Sequence, residues 1–410
     1  MKGEGMPVKP EEVGLSSQQL DRIEKHLKAR YIEPEKIAGC LTLVARKGQI
    51  AYLQSLGIMD RERNKPMQDD TIVRIYSMSK PITSVALMML YEQGMFQLED
   101  PVWKYIPEFR NLRVYAAGNY PNFLTARPKR HMTIRDLFTH TSGLTYGFME
   151  RTNVDAAYRK LQVGERGLNN TLKDMIGTLA KLPLEFSPGD YWNYSNATDV
   201  LGYLVEVMSG MSLDEYFRTK IFEPLGMVDT GFHVPQEKME RFAANYERTP
   251  DKKLRLVDDP QTGVYSKPAT FFSGGGGLVS TANDYFRFCQ MVLNGGELEG
   301  VRILGRKTVE YMTMNHLPEG KDMADMTVST YEQVAPEGSG FGLGFSVVLS
   351  PVGSGVIGST GEYSWGGAAS TAFWIDPVED LIVIFLTQFM PSATFNFRGQ
   401  LKTMIYPALM

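Results

Sequence analysis

The last third of the chain is written in short β-rich runs separated by turn residues, a second such pair lies near the N-terminus, and the stretch between them is patterned for helices. Strands are predicted over residues 341–349, 353–358, 368–375 and 381–387, with Asp376-Pro377-Val378-Glu379-Asp380 as a hairpin connection between the last two. Near the other end, Leu41, Leu43 and Ala45 alternate with Thr42, Val44 and Arg46, and Lys47-Gly48 turns the chain into residues 50–56. A helix over about 16–30 precedes this hairpin, with Ser16 and Gln19 spaced as a capping box and Leu20, Ile23 and Leu27 as its apolar stripe. Helices are predicted over 77–93, 133–138, 171–179, 197–208, 213–221 and 281–293, and residues 112–131 read as a loop rich in aromatic and basic side chains. Strand-bearing ends around a helical middle predict an α+β fold with an antiparallel sheet flanked by helices. One domain is expected from residues 1–74 and 265–410 and a mainly helical, inserted one from 75–264, with the active site between them.

A chain of 410 residues is too long for one ordinary core, in keeping with that division. Its 43% hydrophobic and 22% charged residues are those of a soluble globular protein. A net charge of −4 gives no reason to expect nucleic acid or an anionic membrane as partner. The longest apolar runs, such as 85–90 and 381–386, fall well short of the roughly 18 residues that span a bilayer. The N-terminal residues lack the apolar core of a signal peptide, so a cytoplasmic location is the default, although the mature form of an exported protein looks the same. Cys40 and Cys289 alone make no disulfide framework, and the five histidines include no close ligand pair, so no metal or other cofactor is indicated. Nothing in the sequence fixes the oligomeric state.

Ser77-Met78-Ser79-Lys80 is the chain's single Ser-x-x-Lys. Three residues apart on a helix, the two side chains share a face and can hydrogen-bond. A serine hydroxyl is a poor nucleophile until a neighbouring base takes its proton. Lys80 can do so if burial or nearby positive charge keeps part of it neutral. Pro81 forfeits a hydrogen bond to the Ser77 carbonyl, a small loss only if Ser77 stands at the helix start, where the helix terminus also favours a developing negative charge. On the motif alone, an ordinary surface serine and lysine is the commoner meaning.

Two further segments add to it. Tyr194-Ser195-Asn196 follows Ser187-Pro188-Gly189-Asp190. A tyrosinate at Tyr194 could share the Ser77 proton and hand it to a leaving alcohol, while the Asn196 amide could hold the lysine. Tyr-x-Asn is loose, however, and Tyr191 and Tyr120 match it too. Trp365-Gly366-Gly367 is expected to open the strand over 368–375, where glycines let a ligand approach the backbone and an N–H could complete an oxyanion hole with that of Ser77.

In this order, the three segments resemble the layout of class C β-lactamases and penicillin-binding proteins, and most closely the family VIII carboxylesterases, which share that fold but hydrolyse esters. Leu98-Glu99-Asp100-Pro101-Val102, the Leu137–Leu144 stretch Leu-Phe-Thr-His-Thr-Ser-Gly-Leu and the run Gly274-Gly275-Gly276-Gly277-Leu278 fit the same resemblance. It implies a β-lactamase/transpeptidase-like fold. It also selects Tyr194 over Tyr191, because the family's tyrosine follows a Pro-Gly-x-x-Trp stretch by two residues. By the resemblance Ser77 is the nucleophile, Lys80 its activator and Tyr194 the proton shuttle. Asn196 is a polar organiser and Ala368 the second oxyanion donor, with Trp365, Gly366 and Gly367 lining the substrate. Where β-lactamases place Lys-Thr-Gly this chain has Trp365-Gly366-Gly367, an exchange that removes a cation for a substrate carboxylate and supplies an aromatic wall. The expectation is a carboxylesterase for small, short- to medium-chain esters with weak β-lactam hydrolysis at most. An acyltransferase, a β-lactamase or D-amino-acid peptidase, and a non-catalytic binding relative are the rivals.

No Gly-x-Ser-x-Gly occurs, so a nucleophile elbow is unsupported, and the Gly274–Gly277 run, without a following Gly-Lys-Ser/Thr, reads as a buried turn. His140 reads as structural. Pocket walls are expected from 112–131 and 146–168, where Tyr115, Tyr120, Phe123, Tyr146 and Phe148 suggest an apolar cleft.

Overall fold

The computed structural model describes residues 7–167, 169–328 and 337–410. Residues 1–6, which carry the expectation about a leader, and Leu168, at the end of one expected pocket wall, lie outside them. The elements that place the site are α1 (Ser17–Leu27), β1 (Gly39–Arg46), β2 (Gln49–Asp60), β3 (Lys65–Pro66), α2 (Ser79–Glu92), α3 (Ile134–Phe138), α4 (Ala197–Ser209), α5 (Ala282–Leu293), β4 (Ser339–Phe341), β5 (Ser346–Val348), β6 (Tyr363–Gly366), β7 (Ala372–Asp376), β8 (Leu381–Thr387) and α6 (Phe397–Ile405).

The eight strands form one antiparallel sheet in the order β4-β5-β6-β7-β8-β1-β2-β3, so the two ends of the chain meet where β8 pairs with β1. Leu41 opposes Leu386 and Leu43 opposes Ile384 across that seam. Period-two geometry then sends alternate side chains to two cores. Leu41, Leu43, Phe373, Ile375, Ile384 and Leu386 join the main core shared with α2, α4 and α5, whereas Cys40, Val44, Trp374, Val383 and Phe385 join a second core with residues of α1 and α6. Burial on both faces is why β8 reads as an unbroken apolar run rather than an alternating one. Among the described residues no helix is long and apolar enough to cross a membrane.

Several expectations are corrected. The predicted strand over 341–349 is two strands, because the Gly342 N–H bonds the Phe345 carbonyl (2.7 Å) and Gly344 takes φ +98°, folding the run into a hairpin. Residues 353–358 form no strand. Ser350 caps a helical turn at Pro351–Ser354 through the Gly353 N–H (3.0 Å), and Gly355 closes it at φ +67°. The neighbouring strand is instead β6. Residues 112–131 contain a hairpin, Val114–Asn119 with Asn122–Ala126. Ser16 accepts from the Gln19 N–H (3.3 Å) as expected, but its own N–H bonds the Ala408 carbonyl (2.8 Å), so the reciprocal half of the capping box is replaced by a contact to the C-terminus.

Candidate active site

Ser77 stands where the chain turns from the β-rich N-terminal part into α2. Tyr76 holds the left-handed φ of +42°, a strained conformation for a side chain of its size. A 3₁₀ turn at Tyr76–Met78 leads straight into α2. Pro81 falls in the first turn of that helix, where its missing N–H costs little, as the sequence requires. The turn is pinned from three sides. Ser79 Oγ donates to the Tyr76 carbonyl (2.6 Å) and accepts from the Leu278 N–H (3.2 Å), while the Tyr285 hydroxyl donates to the Met78 carbonyl (2.9 Å). The nucleophile candidate therefore sits on a braced, strained corner rather than on a loose loop.

One turn along, Lys80 is 1% exposed. Its Nζ lies 3.1 Å from Ser77 Oγ, 3.1 Å from the Tyr146 hydroxyl and 2.7 Å from the Gly275 carbonyl. A neutral amine has two N–H donors and one lone pair. The Gly275 carbonyl can only accept and the Tyr146 hydroxyl can accept, which leaves the lone pair for the Ser77 hydroxyl proton. Burial in this site brings the lysine down from 10.5 to about 7, against a raising contribution from the Asp199 carboxylate. The amine can thus be neutral where an exposed lysine cannot.

Tyr194 approaches from the segment just before α4 and donates its hydroxyl to Ser77 Oγ at 2.6 Å. Burial pushes its phenol well above the usual value, partly offset by the Ser77 hydrogen bond, so it is protonated at neutral pH and is a donor here rather than the tyrosinate the sequence suggested. The ring of Trp365 packs on that of Tyr194 with centroids 5.6 Å apart, and Phe341 meets Trp365 edge-on at 5.3 Å. Behind them His140 sits with its ring 5.0 Å from that of Tyr194 and its Nδ1 3.2 Å from Ser195 Oγ. Burial, then the Lys80 charge, holds the imidazolium form down, in line with a structural role.

Trp365-Gly366 closes β6 instead of opening the next strand, and residues 367–370 form the turn into β7, with the Ser370 N–H on the Gly367 carbonyl (3.1 Å). A Cβ at Gly367 would stand 2.4 Å from the Ile75 carbonyl and 2.3 Å from Thr371 Oγ1, so only glycine lets this turn press on the backbone two residues before Ser77. Among the described residues the Ala368 N–H has no hydrogen-bond partner, which leaves it free to take a carbonyl oxygen beside the first-turn N–H of Ser77.

Asn196 does not hold Lys80. Its amide donates to Asp199 Oδ2 (3.1 Å), because the Gly275 carbonyl and Tyr146 hydroxyl already occupy the lysine's donor positions. Tyr115, Tyr120 and Phe123 lie on the 114–126 hairpin or its turn and pack on the main core. Tyr146 instead reaches the lysine, with Phe148 stacked on it at 4.6 Å. The glycine run is the buried turn expected, yet it also supplies the Gly275 carbonyl. Arg398 of α6 lies against Gly366, its Nη2 2.8 Å from where a Cβ would stand.

The Beta-lactamase family model matches residues 20–402. Protein Rv1367c of Mycobacterium tuberculosis is 35% identical over 364 residues, 88% of each chain. Esterase EstB of Burkholderia gladioli is 31% identical over 377 residues, 87% of each chain. Among solved structures EstCE1, a hydrolase with promiscuous acyltransferase activity, matches with a TM-score of 0.78 at 27% identity, covering 95% of this chain and 99% of that one.

Proposed function

The chain belongs to the beta-lactamase family, in its family VIII esterase-like branch, and from that premise we propose that it is a serine carboxylesterase working through an acyl-enzyme on Ser77. The observation that carries this reading is the placement of Ser77 Oγ between the Tyr194 hydroxyl at 2.6 Å and Lys80 Nζ at 3.1 Å. Neutral Lys80 takes the Ser77 proton as Oγ attacks the ester carbonyl. The N–H groups of Ser77 and Ala368 hold the resulting oxyanion. As the carbon–oxygen bond to the alcohol breaks, the leaving oxygen takes the proton of the Tyr194 hydroxyl, and the Lys80 ammonium passes the proton it took from Ser77 to the Tyr194 oxygen, restoring both groups. Water then attacks the acyl carbonyl as Lys80 takes one of its protons. The bond from the acyl carbon to Oγ breaks and Oγ takes the Tyr194 proton, which Lys80 replaces, releasing the acid and free Ser77. Asn196 supports this arrangement indirectly, through Asp199.

The reading specifies small, short- to medium-chain esters and weak β-lactam hydrolysis at most, since Trp365 stands where a β-lactamase has lysine. Acyl transfer to an alcohol is the second reading, favoured by the likeness to EstCE1, a hydrolase with promiscuous acyltransferase activity. Initial rates on chromogenic esters of rising acyl length, beside a β-lactam and with added alcohol, test it. Esters of short to medium chain are expected to turn over fastest. β-Lactam turnover above all esters would overturn the substrate class, and alcoholysis outrunning hydrolysis would favour the transferase.

The lysine also sets a pH dependence. Its folded value is lowered to about 7, so the base is present above that pH and lost below it. The acid limb of kcat/KM is expected near pH 7, falling about tenfold per unit well below it. A flat profile down to pH 5 would remove Lys80 from the role of base.

A further inference from the structure

Asp199 is a buried carboxylate that the steps above leave without a task, although it is the acidic group whose charge bears on Lys80. It sits in the first turn of α4 and accepts three hydrogen bonds: from Ser273 Oγ (2.6 Å), from the Gly275 N–H (3.0 Å), both on Oδ1, and from the Asn196 amide on Oδ2 (3.1 Å). Among the described residues no cation lies within ion-pair distance of it. Its connection to positive charge runs through one residue, because Gly275, whose N–H binds Asp199, receives Lys80 Nζ on its own carbonyl at 2.7 Å. That glycine is wedged in place. A Cβ on Gly275 would stand 2.8 Å from Asp199 Oδ2 and 2.9 Å from the Tyr146 hydroxyl.

We infer that Asp199 is a positioning residue for Lys80: through the backbone of Gly275 it fixes the amine against Ser77, and its charge decides how readily that amine takes and releases the proton. The inference deepens the proposed function and rests on Lys80 being the base. The groups around the lysine leave Asp199 as the source of that control. Tyr146 and Tyr194 face it as neutral phenols, each pushed up by burial, and His140 is a neutral imidazole held so by burial and then by the lysine itself. The 273–277 segment contributes a hydroxyl and backbone groups. Burial alone favours the neutral amine, whereas the carboxylate opposes it, and a base that must both accept and return a proton is served by the balance.

Asp199→Asn tests this while keeping the shape. Its Oδ1 can still accept from Ser273 and Gly275, and its new amide faces Asn196, whose own Oδ1 has no partner among the described residues and can turn to receive it. The acid limb of kcat/KM is expected to move to lower pH by about one unit, since an opposing charge is removed from near an ammonium. An unmoved limb, with or without a lower rate, would overturn the inference, because a merely structural role changes the plateau and not the midpoint. Should Asp199→Asn fail to fold, Asp199→Glu and Asp199→Gln form a length-matched pair. The Glu form is expected to titrate about one unit above the Gln form, and coincident limbs would overturn the inference. A wild type with no acid limb near pH 7 sinks the proposed role of Lys80 itself, whereas a wild-type limb that Asp199→Asn leaves in place sinks only the role of Asp199.

Discussion

Ser77→Ala is expected to lower ester turnover by at least about 10⁴-fold, with kcat rather than KM carrying the loss. The substitution removes the atom that forms the bond to the acyl group and leaves the cleft otherwise intact. It also takes away the acceptor of the Tyr194 hydroxyl and the partner of Lys80 Nζ. Neither loss threatens the fold, because Lys80 keeps Gly275 and Tyr146 and the corner at Tyr76 is pinned by Ser79, Leu278 and Tyr285. Stability should therefore change by no more than about 1–3 kcal/mol, the cost of one unmet polar group. A thermal melt beside the rate measurement separates the two effects. Turnover within tenfold of wild type would exclude Ser77 as the nucleophile.

Lys80→Met is expected to cost about 10³- to 10⁴-fold in kcat/KM and to abolish the acid limb near pH 7. Methionine fills much of the same buried volume without a charge, so packing is largely preserved. What is lost is the lone pair that receives the Ser77 proton and the two donors that hold Gly275 and Tyr146. Lys80→Arg should not rescue activity. A guanidinium stays protonated at every pH at which esters can be assayed, and its planar fork does not match three neighbours arranged around one nitrogen. Rescue by arginine would mean that Lys80 acts through its charge alone.

Much of the proposed catalytic pair was legible because it is local. Ser77 and Lys80 share a helix face by their spacing, and Pro81 already demanded that Ser77 lie at a helix start. Tyr194 was not legible from spacing, since three Tyr-x-Asn patterns compete. The family resemblance chose it, and the structure places its hydroxyl on Ser77 at 2.6 Å. The partners that were missed are non-local. Tyr146 is 66 residues from Lys80 and Gly275 is 195, and no periodicity links such positions. The only trace of the second was the glycine run itself, a demand for close backbone approach whose cause the sequence does not name. Arg398 comes from the far C-terminal helix, so its approach to Gly366 was not readable either. In the fold, Leu381–Thr387 was correct to the residue because burial on both faces makes it uniformly apolar. Residues 353–358 misled because Val356 and Ile357 carry strand propensity in a stretch whose backbone is set by Ser350, Pro351 and Gly355.

The central claim, a covalent acyl-enzyme on Ser77, is tested most directly by mass spectrometry. The protein is mixed with a chromogenic ester, quenched in acid within the first turnovers and digested. The account predicts a mass increase of one acyl group on the peptide containing Ser77, absent from Ser77→Ala treated alongside. Full turnover of the ester with no adduct trapped at any quench time, or an adduct on another residue that persists in Ser77→Ala, would contradict it.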